Sequence, residues 1–264
     1  MTDPSTTPVL ESHGINVTVA DRVLVCELSI TLEPGQWLVV LGRNGAGKTR
    51  TLRTLCGLEP TDATRIRWCG QPADTVDAAS RAKLVTIVTQ HQDDAFGNDV
   101  YNHLLLARYP HHGPWRSPNT TDRELVTGAL SSLGLDTLAG RDVTTLSGGE
   151  RQRVAVAQAL VQQTPLLLVD EPLSHQDPAG SQQILGALET YRASGGSVIS
   201  AMHDVNIARR HADLALILDG EGGWELGNAS ELICRETVTQ LFGVDVIQTE
   251  VSGEPWFVPA SPST

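Results

Sequence analysis

Two phrases of this sequence carry residue types that can hold and cleave a phosphoanhydride. The first is Gly42-Arg43-Asn44-Gly45-Ala46-Gly47-Lys48-Thr49. Its glycines let successive backbone N–H groups converge on phosphate oxygens, and a helix starting at Lys48 aims its positive end at the same spot. Lys48 then neutralises charge between the β- and γ-phosphates, and the Thr49 hydroxyl suits a magnesium ion. The second is Leu166-Leu167-Leu168-Val169-Asp170-Glu171, an apolar run that ends in two carboxylates. Asp170 is placed to hold Mg2+ through water. Glu171, one residue further out, is placed to polarise an attacking water. An acidic strand end alone is common at surfaces; the glycine loop upstream is what gives this one a task.

A third phrase, Leu146-Ser147-Gly148-Gly149-Glu150, lies between them. Ser followed three residues later by Glu is a capping box, so a capped helix start is one reading. The second reading adds a ligand. Two glycines leave the helix N-terminus bare, and its orphan N–H groups can accept a γ-phosphate. The chain's own nucleotide already sits in the glycine loop, so a second copy must supply that phosphate. ATP, Mg2+ and a homodimer with ATP between its halves are the expectation.

The surrounding elements must present these phrases on one edge. Residues 14–33 alternate in apolar character and predict two antiparallel strands, closed by a turn at Pro34-Gly35. Trp37 to Leu41 is wholly apolar, as a strand buried on both faces of a parallel sheet would be. It feeds the glycine loop and a helix from Lys48 to about Cys56. Further strands are expected at 84–89, 166–169 and 197–201, with a helix at 178–193. That β-α-β order implies right-handed crossovers and a parallel sheet. Residues 99–109, 120–133 and 147–162 read as helices, interrupted by a Pro/His/Gly loop at 110–118. A hairpin is expected across 214–226 and short helices over 229–242. The picture is an α/β core (11–245) with a helical insertion near 91–160. Residues 1–10 read as a flexible tail. Residues 246–264 read as a C-terminal extension whose last ten residues look like a second frayed end.

Composition narrows the function. The net charge of −12 opposes nucleic-acid binding, which needs a basic face, and docking on anionic lipid through a basic patch. Four scattered cysteines without CxxC spacing read as reduced thiols. No apolar run reaches the roughly 20 residues that span a bilayer, and the N-terminus lacks the pattern of a signal peptide. A cytoplasmic protein, soluble by itself, is expected. His103, His111 and His112 lie close in sequence, but a polar loop between helices is a simpler reading than a metal site.

The set LGRNGAGKT, Gln90, LSGGERQR, LLLVDEP, Asp177 and Ser200-Ala201-Met202-His203-Asp204 resembles the ATPase subunits of ABC transporters. The resemblance spans about residues 14–245, and LSGGE after a phosphate loop is specific to that family. It implies a P-loop NTPase fold with a RecA-like parallel core, an N-terminal antiparallel β-subdomain and an inserted helical signature subdomain. It also implies roles. Lys48 and the rest of Gly42–Thr49 bind nucleotide; Gln90 contacts Mg2+ and water and senses the membrane partner. Thr49 and Asp170 complete the metal set. Ser147 and Gly149 contact the γ-phosphate on the other subunit, Glu171 is the general base, Asp177 crosses the dimer interface, and His203 holds the γ-phosphate. The implied partners are integral membrane permease subunits and, indirectly, a periplasmic or extracellular substrate-binding protein. The implied location is the inner face of the cell membrane, reached through the permease.

Three residues depart from the family pattern. No aromatic precedes Trp37 to stack on adenine; the matching stretch offers Val17 and Val19. Arg50 stands where a small hydroxyl residue near the α-phosphate is usual, and is expected to reach a phosphate itself and so to join the nucleotide-binding set. Gln176 stands where an apolar residue is usual before Asp177, and is expected to loosen the dimer loop. The phrases ARYPHHGPW and HDVNIARRHAD resemble the ATPases that drive uptake of iron–siderophores, haem and vitamin B12. An exporter ATPase, a soluble ABC-type ATPase and a small-molecule kinase are the alternatives; the single phosphate loop and acidic charge disfavour the second, and LSGGE the third.

Overall fold

The computed structural model describes residues 7–20, 22–90, 97–112 and 117–260. The chain opens with a long antiparallel pair, β1 (Leu10–Val19) and β2 (Arg22–Leu32), followed by β3 (Trp37–Gly42) and α1 (Lys48–Leu55). Next come β4 (Ile66–Trp68), β5 (Gln71–Pro72), α2 (Ala78–Leu84) and β6 (Val85–Val88). The helices α3 (Val100–Leu106), α4 (Tyr109–His112), α5 (Thr120–Ser132) and α6 (Gly148–Gln162) follow. The chain then alternates through β7 (Leu166–Asp170), α7 (Pro178–Ala193), β8 (Ser197–Ala201), α8 (Val205–His211) and β9 (Leu214–Leu218). It ends with β10 (Trp224–Asn228), α9 (Ala229–Leu232), α10 (Arg235–Phe242), β11 (Val246–Val251) and β12 (Glu254–Pro259).

The central sheet runs β10-β9-β3-β8-β7-β6 and is parallel except for β10 at its edge. Every residue of β3, β7 and β8 is buried, so these strands show no polar alternation. Their side chains nevertheless alternate between two cores. Trp37, Val39, Leu41, Leu167 and Val169 face the cluster that holds the helices α5, α6 and α7. Leu38, Val40, Leu166, Leu168 and Ile199 face the one that holds β1, β2 and α1. Each such fully buried side chain stabilises the fold by about 1.5–3 kcal/mol relative to exposure. The Trp37 indole N–H donates to Ser200 Oγ at 2.8 Å, so this large core residue hides no unpaired donor.

Register decides the site. Val40 pairs with Ala201, Asp170 with Ala201, and Val88 with Val169. The carboxyl ends of β3, β6, β7 and β8 therefore lie along one edge. The glycine loop, Gln90, Asp170 with Glu171, and His203 all leave from that edge, where open α/β sheets place their ligands.

Three expectations need correction. Residues 255–259 are not a frayed end: β12 pairs with β11 from Val246↔Pro259 to Val251↔Glu254. Phe257 and Val246 are buried, and Asn206 of α8 both donates to the Phe257 carbonyl and accepts from its N–H. The flanking prolines suit a strand that needs few ladder donors. At the other end, Val9 and Leu10 are core residues, with Val9 N–H bonded to Leu32 O; residues 1–6 lie outside the described residues. Third, the Pro/His/Gly segment begins with the helical turn α4 rather than a loop, with His111 Nε2 2.7 Å from Gln162 O and His112 Nε2 2.6 Å from Asp122 Oδ2. Residues 113–116 lie outside the described residues. Among the described residues, no three His, Cys, Asp or Glu side chains cluster as a metal site, and no helix is long and apolar enough to cross a membrane.

Candidate nucleotide site

The glycine loop joins β3 to α1. Gly47 caps α1 at φ 102°, a conformation L side chains rarely adopt, and a Cβ there would stand 3.2 Å from Leu24 Cβ. Glycine thus lets the first turn of α1 present bare N–H groups while β2 closes over it. Lys48 is buried, and its Nζ donates to Gly42 O at 2.9 Å and Arg43 O at 3.4 Å. Burial lowers the Lys48 pKa, opposed by the carboxylates of Glu171 and Asp170. Ala46 is packed in the core beneath the loop.

A cavity of about 500 Å3 opens beside this loop. One end is lined by Asn44, Gly45, Gly47, Lys48, Thr49, Gln90 and Glu171; the other by Val19, Arg22 and Leu24, with Arg50 also on its wall. The lysine end offers N–H donors and a cation that suit phosphate; the Val19–Arg22–Leu24 end offers apolar surface beside a guanidinium. Val17 is 1% exposed and faces the core, so of the two valines only Val19 lines the cavity. Arg22 was not singled out by sequence. Its Nη2 donates to Gly220 O at 2.6 Å, which holds the planar guanidinium against the opening. Arg50 donates to Glu59 at 2.9 Å and shares it with Arg53. A second cavity of about 510 Å3, between α5, the end of α6 and α7, is lined largely by apolar groups and carries no pair of carboxylates.

At the strand edge Glu171 gathers three partners. Gln90 Nε2 donates to its Oε2 at 2.9 Å, Ser174 Oγ to the same oxygen at 3.2 Å, and His203 Nε2 lies 2.5 Å from Oε1. Glu171 adopts φ 50° and His175 φ 62°, both non-glycine residues in the left-handed region. Such conformations cost about 1–3 kcal/mol each and cluster where geometry serves function. The backbone holds the bend, since Glu171 N–H continues the ladder to Ala201 O at 3.1 Å. Ser174 carried no sequence signal, because its role depends on this bend.

Asp170 is 1% exposed, and neither carboxylate oxygen completes a hydrogen bond among the described residues. Burial raises its pKa; the Thr49 hydroxyl, which faces it without reaching hydrogen-bond geometry, pulls the value back. A buried, orphaned carboxylate beside a hydroxyl is a hard oxygen donor set, and it fits Mg2+.

The remaining predicted residues stand apart. Ser147, Gly149 and Asp177 do not line the cavity around Lys48. Ser147 and Glu150 form the reciprocal capping box, with Ser147 N–H donating to Glu150 Oε2 at 2.7 Å and Glu150 N–H to Ser147 Oγ at 3.3 Å. Asp177 caps α7, accepting from Gly180 N–H at 2.7 Å. Gln176 does not leave its loop loose: its Nε2 donates to Gly149 O at 2.9 Å, and Arg153 Nη1 donates to its Oε1 at 3.0 Å.

Known proteins agree with this geometry. A family profile described as ABC transporter matches residues 25–174. The hemin import ATP-binding protein HmuV of Pseudomonas entomophila (strain L48) is 32% identical over 244 residues, covering 90% of this chain and 94% of its own. The iron(3+)-hydroxamate import ATP-binding protein FhuC of Bacillus subtilis (strain 168) is 30% identical over 237 residues, covering 89% and 88%. A solved inward-facing structure described as a metal-chelate type ABC transporter superposes with TM-score 0.80 at 25% identity, covering 97% of this chain and 98% of that one. The phosphate loop, the paired carboxylates at the strand end and the capped LSGGE helix thus have one common explanation: the chain belongs to the ABC transporter family, as an ATP-hydrolysing subunit.

Proposed function

We propose that this subunit powers uptake of a haem or an iron–siderophore, with vitamin B12 as the related cargo, through a separate integral membrane permease. A substrate-binding protein outside the membrane would deliver the cargo. The chain works at the inner face of the membrane, held there by the permease. Support for the cargo class comes from the import ATPases it resembles. Support for hydrolysis comes from one observation above all: Glu171 is held at the mouth of the phosphate cradle by Gln90, Ser174 and His203.

In this reading the triphosphate lies over Gly42–Thr49 with its base against Val19, Arg22 and Leu24. Arg22 supplies a planar cation to the base face where relatives use an aromatic ring, an interaction worth about 0.5–2 kcal/mol. Thr49, Asp170 and Gln90 would hold Mg2+, which neutralises phosphate charge when bound. Glu171 orients the attacking water and accepts its proton. His203 leaves Glu171 to bond the γ-phosphate, and Lys48 offsets charge that develops in the transition state. Ser147, Gly149 and Asp177 complete the cradle of a second copy, so two subunits face each other with ATP at both joints. ATP closes the pair because the closed form binds it better.

The test is to purify the tagged chain from detergent-solubilised membranes. It should bring an integral membrane protein with it, and ATP turnover of that complex in vesicles should rise when cargo-loaded binding protein is added. Turnover indifferent to both membrane partner and cargo would contradict the proposal.

A further inference from the structure

The bridge through Gln176 links two elements that the proposed function assigns to the same foreign nucleotide. One is the N-terminus of α6, with Ser147 and Gly149. The other is the loop 171–177, ending in Asp177 at the N-cap of α7. Gln176 belongs to the loop and spends both ends of its amide on α6: its N–H2 donates to Gly149 O and its carbonyl accepts from Arg153 Nη1.

The packing is cut to fit this one side chain. A Cβ at Gly149 would lie 3.0 Å from His175 O and 3.5 Å from Gln176 Nε2. A Cβ at Gly180 would lie 2.5 Å from Gln176 Oε1, 2.9 Å from Arg153 Nη1 and 3.0 Å from Asp177 Oδ1. Glycine at both places therefore leaves the room the bridge occupies. By contrast, a Cβ at Gly148 would meet nothing within 4 Å. Gly148 faces open space and Gly149 faces the bridge, so the two glycines of the LSGGE phrase have different tasks. An apolar residue at 176 would leave the Gly149 carbonyl and the Arg153 guanidinium without this partner, and Arg153 Nε already completes no hydrogen bond among the described residues.

The geometry points to Gln176 as a positioning residue that makes the α6 N-terminus and the Asp177 loop one rigid claw. The inference rests on the composite site proposed above. Its consequence is that both elements reach the partner's nucleotide already in register, so ATP-driven pairing does not have to order them separately. Gln176 itself touches no nucleotide in this account.

The experiment uses the full chain carrying Glu171→Gln, which should pair with MgATP without turnover, and measures the ATP concentration that gives half-maximal pairing. Adding Gln176→Leu should raise that concentration about tenfold. Binding of a fluorescent ATP analogue to dilute, unpaired subunits should not change. Gly180→Ala is the second probe. It adds a methyl group at a helix position, and its Cβ crowds the Gln176 amide and Arg153 first and the Asp177 carboxylate second, so thermal melts are run beside the pairing assay to confirm that the variant stays folded. It should weaken pairing alone but add nothing in the Gln176→Leu background. Pairing unchanged by both substitutions would overturn the claw. So would strictly additive effects. Failure of Glu171→Gln alone to pair would instead count against the composite site.

Discussion

The strand edge and the α6 N-terminus make an instructive contrast. At the strand edge nearly every reactive group is engaged within the chain: Lys48 with its own loop, Glu171 with Gln90, Ser174 and His203. Asp170 differs: among the described residues neither of its buried oxygens completes a hydrogen bond, which suits a metal ligand. At the α6 N-terminus the arrangement is reversed. Ser147, Gly149 and Asp177 are held by caps and by Gln176, yet they stand away from the cavity around Lys48. In the proposed function one region holds the chain's own nucleotide and the other completes a second copy's. The difference is between residues built to be rearranged by ligand and residues built to stay still until a partner comes.

That contrast can be broken most forcefully at Glu171. Glu171→Gln should lower turnover by about 10²–10⁴-fold while ATP binding persists, read by phosphate release and by nucleotide titration. Substantial residual turnover would move the base elsewhere. Next, Ser147→Arg should cost about 10²–10³-fold in turnover, because it blocks N–H groups aimed at developing charge. Dilute subunits should still bind ATP as wild type. If they do not, Ser147 acts within its own chain and the division of labour fails. Arg22→Ala sharpens the nucleotide end: affinity should fall about three- to tenfold, and Arg22→Phe should restore it. Equal affinity in all three proteins would show that the guanidinium does not meet the base.

The smallest effect concerns the helical unit rather than either site. Burial alone would raise Asp122, but His112, Arg108 and the Asn119 N–H overcome it and bring its pKa down to about 2. A carboxylate with a lowered folded pKa contributes stability that is full above its unfolded value and lost as pH falls toward the folded one. Wild type should therefore lose stability between about pH 4 and about pH 2. Asp122→Asn should show a flatter acid limb in thermal melts, and identical slopes would refute the role of this group.

Much of the fold was readable because period and punctuation coincide. The apolar runs at 37–41, 166–169 and 197–201 have a buried strand's length, and Asp177-Pro178 marks the start of α7 where it is observed. The stretch from 62 to 84 was silent, since β4 and β5 are three and two residues long and α2 is a seven-residue helix without an apolar stripe. The β11–β12 hairpin was missed because its sequence is rich in proline and its burial rests on Phe257, Val246 and the Asn206 amide. Lys48, Asp170 and Glu171 stood out because their chemistry is tied to local spacing. Arg22, Ser174 and the true setting of Gln176 did not, because each depends on contacts across distant parts of the chain.

The measurement closest to the central claim is the mass of the Glu171→Gln protein by light scattering, with and without MgATP. The account predicts one chain without nucleotide and two with it, reverting when Ser147→Arg is added. A mass that stays at one chain while ATP is demonstrably bound would contradict it.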